Sequence, residues 1–186
     1  MLSLRSGFPE QERSQASLLI QRALGDMPAY RAARMLALYA PIRGEVDTGW
    51  LMQLSWSLGK TVLMPAMSET GLVFREANSP DALAPGAFGI LEPRSTPEHL
   101  PEEADLLVVP GVAFDLAGRR LGYGKGCYDR VLHTLEGAGR LTAFAYDFQV
   151  VDEIAGEPHD VWMDLIITEK RILRPLCNYR EGSTAQ

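Results

Sequence analysis

Apolar and polar residues follow two alternating patterns along the chain. Apolar positions recur at helical spacing over Pro9–Leu24, and a second helix is predicted near Thr48–Leu58. Short apolar runs predict strands at Met35–Ala40, Thr61–Pro65, Leu72–Glu76, Leu106–Val109, Leu141–Ala145 and Leu165–Thr168. Because strand and helix signals alternate through much of the chain, we predict a three-layer α/β/α sandwich with a largely parallel central sheet. No internal repeat or interdomain linker interrupts the pattern, so residues 1–186 are expected to form a single domain.

The stretch Asn78–Glu103 contains five prolines and few apolar runs. It predicts a long surface excursion across the ligand-binding edge of the sheet, and a loop of that length is often functional. Phe88 and Ile90 could form an apolar wall for a planar ring, or they could only pin the excursion to the core.

Composition and charge limit the classes of partner. The chain has 186 residues, of which 46% are hydrophobic and 23% charged, as in a soluble globular protein. A net charge of −6 argues against broad binding to nucleic acid or to a membrane surface. Neither a membrane span nor a signal peptide is evident, so we expect a cytoplasmic protein. We also expect a monomer. Cys127 and Cys177 are far apart in sequence and are expected to be free thiols.

A glycine-rich basic loop follows the predicted strand Leu106–Val109. Glycines 122, 124 and 126 alternate with other residues, with Lys125 among them and Arg119 and Arg120 just ahead. Such a backbone can approach an anion closely, and it leads into a helix predicted from about Tyr128, whose free N–H groups favour phosphate. The spacing matches neither the dinucleotide fingerprint nor the common P-loop, which needs Ser or Thr where Gly126 stands. The alternative is a glycine-rich turn with a solvated basic pair.

The motifs of this loop resemble a known family. VVPGVAFD followed by RLGYGKGCYDR is similar to the signature of the 5-formyltetrahydrofolate cyclo-ligases, also called methenyltetrahydrofolate synthetases. The blocks LALYAPIRGEVDT (36–48), PGAFGILEP (85–93) and EPHDVWMDLIIT (157–168) also resemble this family, in the family's order. The resemblance implies an α/β fold and ATP-dependent closure of 5-formyltetrahydrofolate to 5,10-methenyltetrahydrofolate, with release of ADP and phosphate.

The resemblance also implies a set of site residues. It gives catalytic roles to Lys125 and Arg120. It implies ATP contacts from Arg5, Arg120, Gly122, Tyr123, Gly124, Lys125, Gly126 and Tyr128. It implies folate contacts from Ala40, Glu45, Tyr123, Gly124, Lys125, Gly126 and Cys127. From the residues alone, Glu45 could equally be an ordinary acidic residue ahead of a helix capped by Asp47.

A magnesium site is implied at Asp129 and Asp164. Two carboxylates with phosphate oxygens and water can hold Mg²⁺, which needs few protein ligands. Asp129 begins the helix after the glycine loop, and Asp164 precedes the last predicted strand. Without the resemblance, Asp129 is equally well explained as a helix-start residue that interacts with the helix dipole.

Two positions depart from the family pattern. Met1 stands where the family usually has the lysine of a Lys-x-x-Leu-Arg element, so Arg5 and Arg13 would have to supply the charge unless the start is shortened. Cys127 stands where an aromatic residue is usual. These departures leave a non-catalytic folate- or nucleotide-binding paralogue as an alternative. A sugar-phosphate isomerase or acyl-CoA transferase of similar architecture would rest on fold analogy alone.

Overall fold

A computed structural model describes residues 1–69, 71–86, 90–94, 97–124, 126–155 and 161–175. The helices are α1 (Leu2–Ser6), α2 (Glu10–Gly25), α3 (Pro28–Ala32), α4 (Gly49–Ser57) and α5 (Cys127–Leu132). The strands are β1 (Met35–Ala37), β2 (Thr61–Ser68), β3 (Gly71–Glu76), β4 (Leu83–Pro85), β5 (Leu91–Pro93), β6 (Glu98–His99), β7 (Leu106–Val109), β8 (Ala113–Asp115), β9 (Arg120–Leu121), β10 (Leu141–Phe144), β11 (Val150–Val151), β12 (Leu165–Ile167) and β13 (Ile172–Leu173). Short 3-10 turns cover Pro80–Ala82, Pro101–Glu103, His133–Leu135 and Asp147–Gln149.

The central sheet has eight strands in the order β13-β12-β10-β7-β1-β2-β3-β6. The five strands from β12 to β2 are parallel, while β13, β3 and β6 are antiparallel additions at the edges. Every residue of β7 and of β10 is buried, as expected for strands covered on both faces. The predicted largely parallel sheet is confirmed.

Helices cover both faces of this sheet. Side chains of α2 and α4, including Ile20 and Leu51, pack with Leu36 and Val108 on one face. On the other face, Leu132 of α5 packs in a second cluster that contains alternate residues of the same strands. Successive residues of a strand point to opposite faces, so one apolar run serves both clusters and produces three layers.

Short strands depart most from the sequence prediction. The excursion after Asn78 contains the β4–β5 ribbon, and β6 pairs with β3. The loop after β7 contributes β8 and β9, which form a small sheet with β11 in the order β11-β8-β9. Segments of two or three residues carry no measurable periodicity, which explains why the apolar pattern did not predict them. Among the described residues, none of the helices is long and apolar enough to span a membrane.

Candidate active site

A cavity of about 600 Å³ lies beyond the carboxyl ends of β1 and β7. Residues from three separate parts of the chain line it: the loop after β1, the β2–β3 hairpin with the excursion, and the glycine loop with the start of α5. Nine predicted site residues are among them: Ala40, Glu45, Arg120, Gly122, Tyr123, Gly126, Cys127, Tyr128 and Asp129. The carboxyl edge of a parallel sheet is where such folds bind ligands.

Glu45 is held at the base of the loop after β1. Its Oε2 accepts a hydrogen bond from the Ile42 amide at 3.0 Å, and its Oε1 accepts one from the Tyr123 hydroxyl at 3.1 Å. The residue is only 7% exposed. Burial raises the pKa of the Glu45 carboxyl, although the Ile42 amide, the nearby Arg5 guanidinium and the Tyr123 hydroxyl act in the opposite direction. The buried carboxylate is therefore an acceptor that protonates more readily than an ordinary glutamate.

Arg5 lies behind the cavity and organises its wall. It is 1% exposed, and its Nε and Nη1 donate to the carbonyl oxygens of Arg43 at 3.0 Å and Gly111 at 3.1 Å. Its Nη2 donates to the Tyr123 hydroxyl, and its Nη1 lies 4.0 Å from Glu45 Oε1. In this arrangement Arg5 positions Tyr123 and Glu45. The predicted contact of Arg5 with ATP stays a prediction, and it would compete with these protein contacts.

Two glycines of the loop have left-handed backbone conformations. Gly124 has φ of 80° and Gly126, the N-cap of α5, has φ of 59°, which favours glycine over residues with a Cβ. A Cβ on Gly122 would lie 2.9 Å from Arg120 Nη1, so a larger residue there would require the Arg120 side chain to shift. Lys125, predicted as a catalytic residue, lies outside the described residues.

Arg120 lines the cavity and is 6% exposed. Its Nη2 pairs with the Asp129 carboxylate, its Nη1 donates to the Pro110 carbonyl at 3.4 Å, and its guanidinium carbon lies 5.8 Å from the centre of the Tyr128 ring. Its buried Nε has no hydrogen-bond partner within the described part of the chain. A buried donor without a partner is costly, so this atom fits an anionic ligand oxygen.

Comparison with known proteins places this chain in a family. The sequence profile described as the 5-formyltetrahydrofolate cyclo-ligase family matches residues 1–169. The chain belongs to the 5-formyltetrahydrofolate cyclo-ligase family. The curated cyclo-ligase of Mycolicibacterium smegmatis is 32% identical over 92% of this chain and 91% of its own length. The cyclo-ligase of Escherichia coli is 29% identical over 90% of this chain and 95% of its own length.

Solved structures agree with this cyclo-ligase assignment. The NMR structure of Aquifex aeolicus 5,10-methenyltetrahydrofolate synthetase has a TM-score of 0.85 and 36% identity, and the match covers 100% of this chain and 92% of that one. The synthetase from Mycoplasma pneumoniae has a TM-score of 0.71 and 26% identity, with 90% of this chain and 93% of that one covered.

Arg119, the neighbour of Arg120, is held away from the cavity. Its Nη1 donates to the Ile154 carbonyl at 3.0 Å and lies 3.5 Å from the fully buried Asp115 carboxylate. Its guanidinium carbon is 5.1 Å from the centre of the Trp162 ring. Arg119 belongs to the same basic loop as Arg120, but these interactions hold it against the loop after β11.

Asp164 also lies elsewhere. Its Oδ2 accepts a hydrogen bond from the Leu141 amide at 2.9 Å, where β10 begins, whereas Asp129 pairs with Arg120 beside Pro110, just beyond the carboxyl end of β7. The structure therefore does not bring the two predicted magnesium ligands together. The reason is that Asp164 precedes a strand parallel to β10 and so lies at the amino edge of the sheet.

Several cavity residues were not predicted. The β2–β3 hairpin contributes Pro65, Met67 and Leu72, and the loop after β1 contributes Arg43. The sequence predicts both strands of this hairpin but not their place at the cavity. The signal that could have extended the first strand to the cavity is its apolar run, which continues past Pro65 to Met67. Ile90 lines the cavity, in keeping with the predicted apolar wall, whereas Phe88 lies outside the described residues.

Proposed function

We propose that the protein catalyses the ATP-dependent closure of 5-formyltetrahydrofolate to 5,10-methenyltetrahydrofolate, with release of ADP and phosphate. The observation that carries this proposal is that two buried groups line one cavity in a member of the cyclo-ligase family. They are the Glu45 carboxylate and the Arg120 guanidinium, whose Nε has no hydrogen-bond partner among the described residues. The Glu45 carboxylate can accept hydrogen bonds from the N–H groups of a ring, and the Arg120 guanidinium can bind a phosphate.

The proposed reaction needs a way to remove the formyl oxygen, which is a poor leaving group. The formyl oxygen attacks the terminal phosphorus of ATP, the bond from that phosphorus to the bridging oxygen breaks, and ADP leaves. The neighbouring folate nitrogen then attacks the formyl carbon and loses its proton, and the former formyl oxygen departs with phosphate. Transfer of this kind is accelerated mainly by positioning and by neutralisation of charge.

The folate end is assigned to the apolar side of the cavity. Ala40, Ile42, Met67 and Leu72 offer apolar surface for a planar ring. Glu45 would accept hydrogen bonds from ring N–H groups, and the Tyr123 hydroxyl, which receives a hydrogen bond from Arg5, fixes the orientation of the Glu45 carboxylate. Cys127 lines the same cavity and completes the proposed folate contacts.

The phosphate end is assigned to the glycine loop. Arg120 Nε would donate to a phosphate oxygen, and the glycines with left-handed conformations would let the loop backbone approach the phosphate closely. Lys125 is proposed to supply a second cation. Asp129 is the residue of the predicted metal pair that would hold Mg²⁺, whose chemical contribution is to neutralise phosphate charge. Arg120 and Mg²⁺ would then compete for the same carboxylate.

The proposal is tested by mixing the protein with 5-formyltetrahydrofolate, ATP and Mg²⁺ and following the absorbance of the methenyl product. We expect the product to form only when ATP is present, with one ADP released for each ring closed. A protein that binds both ligands in calorimetry but forms no product would be the non-catalytic paralogue. Absence of folate binding would reject both functions.

A further inference from the structure

The loop after β1 contains a tight turn with an unusual residue. Arg43 and Gly44 have φ of 49° and 74°, and the Glu45 amide donates to the Ile42 carbonyl at 2.9 Å. Two central residues with positive φ and this hydrogen bond indicate a type I′ turn. Asparagine and glycine adopt such angles readily, whereas the arginine side chain makes them costly. Arg43 is the only described residue other than glycine with positive φ.

The Arg43 side chain lies at the outer part of the cavity. It is exposed and lines the cavity, and its guanidinium carbon lies 5.3 Å from the centre of the Tyr123 ring. No carboxylate of the described residues forms an ion pair with it. A cation on a strained turn, open to solvent and lying near an aromatic ring, is available to a ligand.

A second cation lies on the other side of the same turn. A Cβ on Gly44 would be 3.5 Å from Nη1 of Arg13, which lines a neighbouring cleft of about 460 Å³. Glu45 borders both the cleft and the cavity. The turn therefore presents a carboxylate towards the buried interior and places two cations near its outer side.

Buried and exposed groups of the cavity suit different parts of a bound substrate. The reacting formyl group and terminal phosphate must meet inside the cavity, where Glu45 and Arg120 are 7% and 6% exposed. The unreactive ends, adenosine and the glutamyl tail of the folate, would then lie nearer the outer part of the cavity, where Arg43 is exposed. Only the tail is anionic, and a carboxylate matches the planar fork of a guanidinium.

We infer that Arg43 binds the glutamyl carboxylates of the folate at the mouth of the cavity, so that its removal weakens the binding of folates that carry glutamate and leaves the binding of the pteroate unchanged. This inference rests on the proposed function, since it assumes that the pterin ring binds at Glu45. Residues two positions apart on one turn would then recognise the two ends of the folate.

The test compares two ligands and two variants in direct binding measurements without ATP. The ligands are 5-formyltetrahydrofolate and 5-formyltetrahydropteroate, which lacks the glutamate. The test variant is Arg43→Gly, because glycine accepts the turn angles and should leave the thermal unfolding midpoint unchanged or higher. The control is Arg31→Gln, which removes the same charge from an exposed residue beside Asp26, on α3 ahead of the amino end of β1.

We expect Arg43→Gly to raise the Kd of the glutamylated ligand about fivefold, the upper range for an exposed ion pair. The Kd of the pteroate and of ATP should stay unchanged, and the control should bind all ligands as the unaltered protein does. Added salt should weaken glutamylated binding less in Arg43→Gly than in the unaltered protein.

Three outcomes would overturn the inference. Equal weakening of both folate ligands would indicate a general effect of the loop, weakening of ATP alone would indicate a phosphate contact, and no weakening would leave Arg43 without a ligand. If the unaltered protein binds folate and closes the ring, any of these outcomes rejects only the role of Arg43. If the unaltered protein binds neither folate ligand, the proposed function itself fails.

Discussion

Replacing Tyr123 with phenylalanine removes one oxygen that connects two buried charges. The hydroxyl receives a hydrogen bond from Arg5 Nη2 and donates to Glu45 Oε1 at 3.1 Å. Arg5 is 1% exposed and Glu45 is 7% exposed, so water cannot fully replace either contact. A buried polar group left without a partner costs about 1–3 kcal/mol. Because Arg5 Nη1 already lies 4.0 Å from Glu45 Oε1 and the two charges can approach, we expect a loss of about 2 kcal/mol in the free energy of unfolding.

Urea unfolding of Tyr123→Phe and of a matched control measures this loss. The control is Tyr30→Phe, which removes a buried hydroxyl paired with the neutral Ser55 hydroxyl at 3.0 Å and should cost about 1 kcal/mol. The dependence on urea should stay unchanged in both variants, since neither changes the surface exposed on unfolding. If Tyr123→Phe is no more destabilising than Tyr30→Phe, the hydroxyl does not connect the two charges.

The same variant has a second consequence, in the pH dependence of folate binding. The Tyr123 hydrogen bond lowers the pKa of Glu45 and so opposes the effect of burial. Without it, the pKa of Glu45 should rise further, and protonation should begin at a higher pH. If folate binding needs the ionised carboxylate, its decline towards acid should move to higher pH in Tyr123→Phe. An unchanged pH profile would refute this coupling between Tyr123 and Glu45.

The remaining predictions concern the two ends of the cavity. Because burial raises the pKa of Glu45, folate affinity should decline as pH falls through a range above that of an ordinary glutamate. Glu45→Gln should bind folate weakly at every pH and bind ATP normally. An equal loss of ATP binding would contradict the assignment of Glu45 to the folate. Gly122→Ala would place a Cβ 2.9 Å from Arg120 Nη1, so turnover should fall about 10- to 100-fold with little change in stability; normal kinetics would show that the position of Arg120 is not critical. Asp129→Asn should raise the Mg²⁺ concentration needed for turnover, with partial recovery at high Mg²⁺, whereas an unchanged requirement would leave Asp129 only as the partner of Arg120.

The core of the fold could be predicted because its strands are buried on both faces. An uninterrupted apolar run such as Leu106–Val109 is best explained, in a chain of this composition, as a strand buried on both faces. In the structure β7 lies inside the sheet with every residue buried. The two-residue strand β9 had no such signal, because its position depends on pairing with β8 rather than on its own sequence.

Arg119 and Arg120 illustrate a part of the site that could not be predicted from the sequence. Both are cations in the same basic loop, and the spacing of the glycines fits either as a phosphate ligand. In the structure only Arg120 lines the cavity, whereas Arg119 does not. The interaction partners of the two side chains explain this difference. Arg119 interacts with Asp115 and the Ile154 carbonyl, whereas Asp129 pairs with Arg120 at the cavity. Asp115 and Asp129 are only 4 and 9 residues from the arginines they pair with, but the Ile154 carbonyl is 35 residues from Arg119, so that contact depends on the tertiary fold.

Strand direction explains why Glu45 lies at the candidate site and Asp164 does not. Glu45 follows β1, whereas Asp164 precedes β12, and β1 and β12 run in the same direction through the parallel strands between them. A residue that follows a parallel strand lies at the carboxyl edge, and a residue that precedes one lies at the amino edge. The strand assignments alone therefore separate Asp164 from Glu45, even though both belong to blocks that resemble the same family. With Asp164 at the opposite edge, Mg²⁺ at Asp129 would take most of its ligands from phosphate oxygens and water, which fits an ion that enters together with ATP.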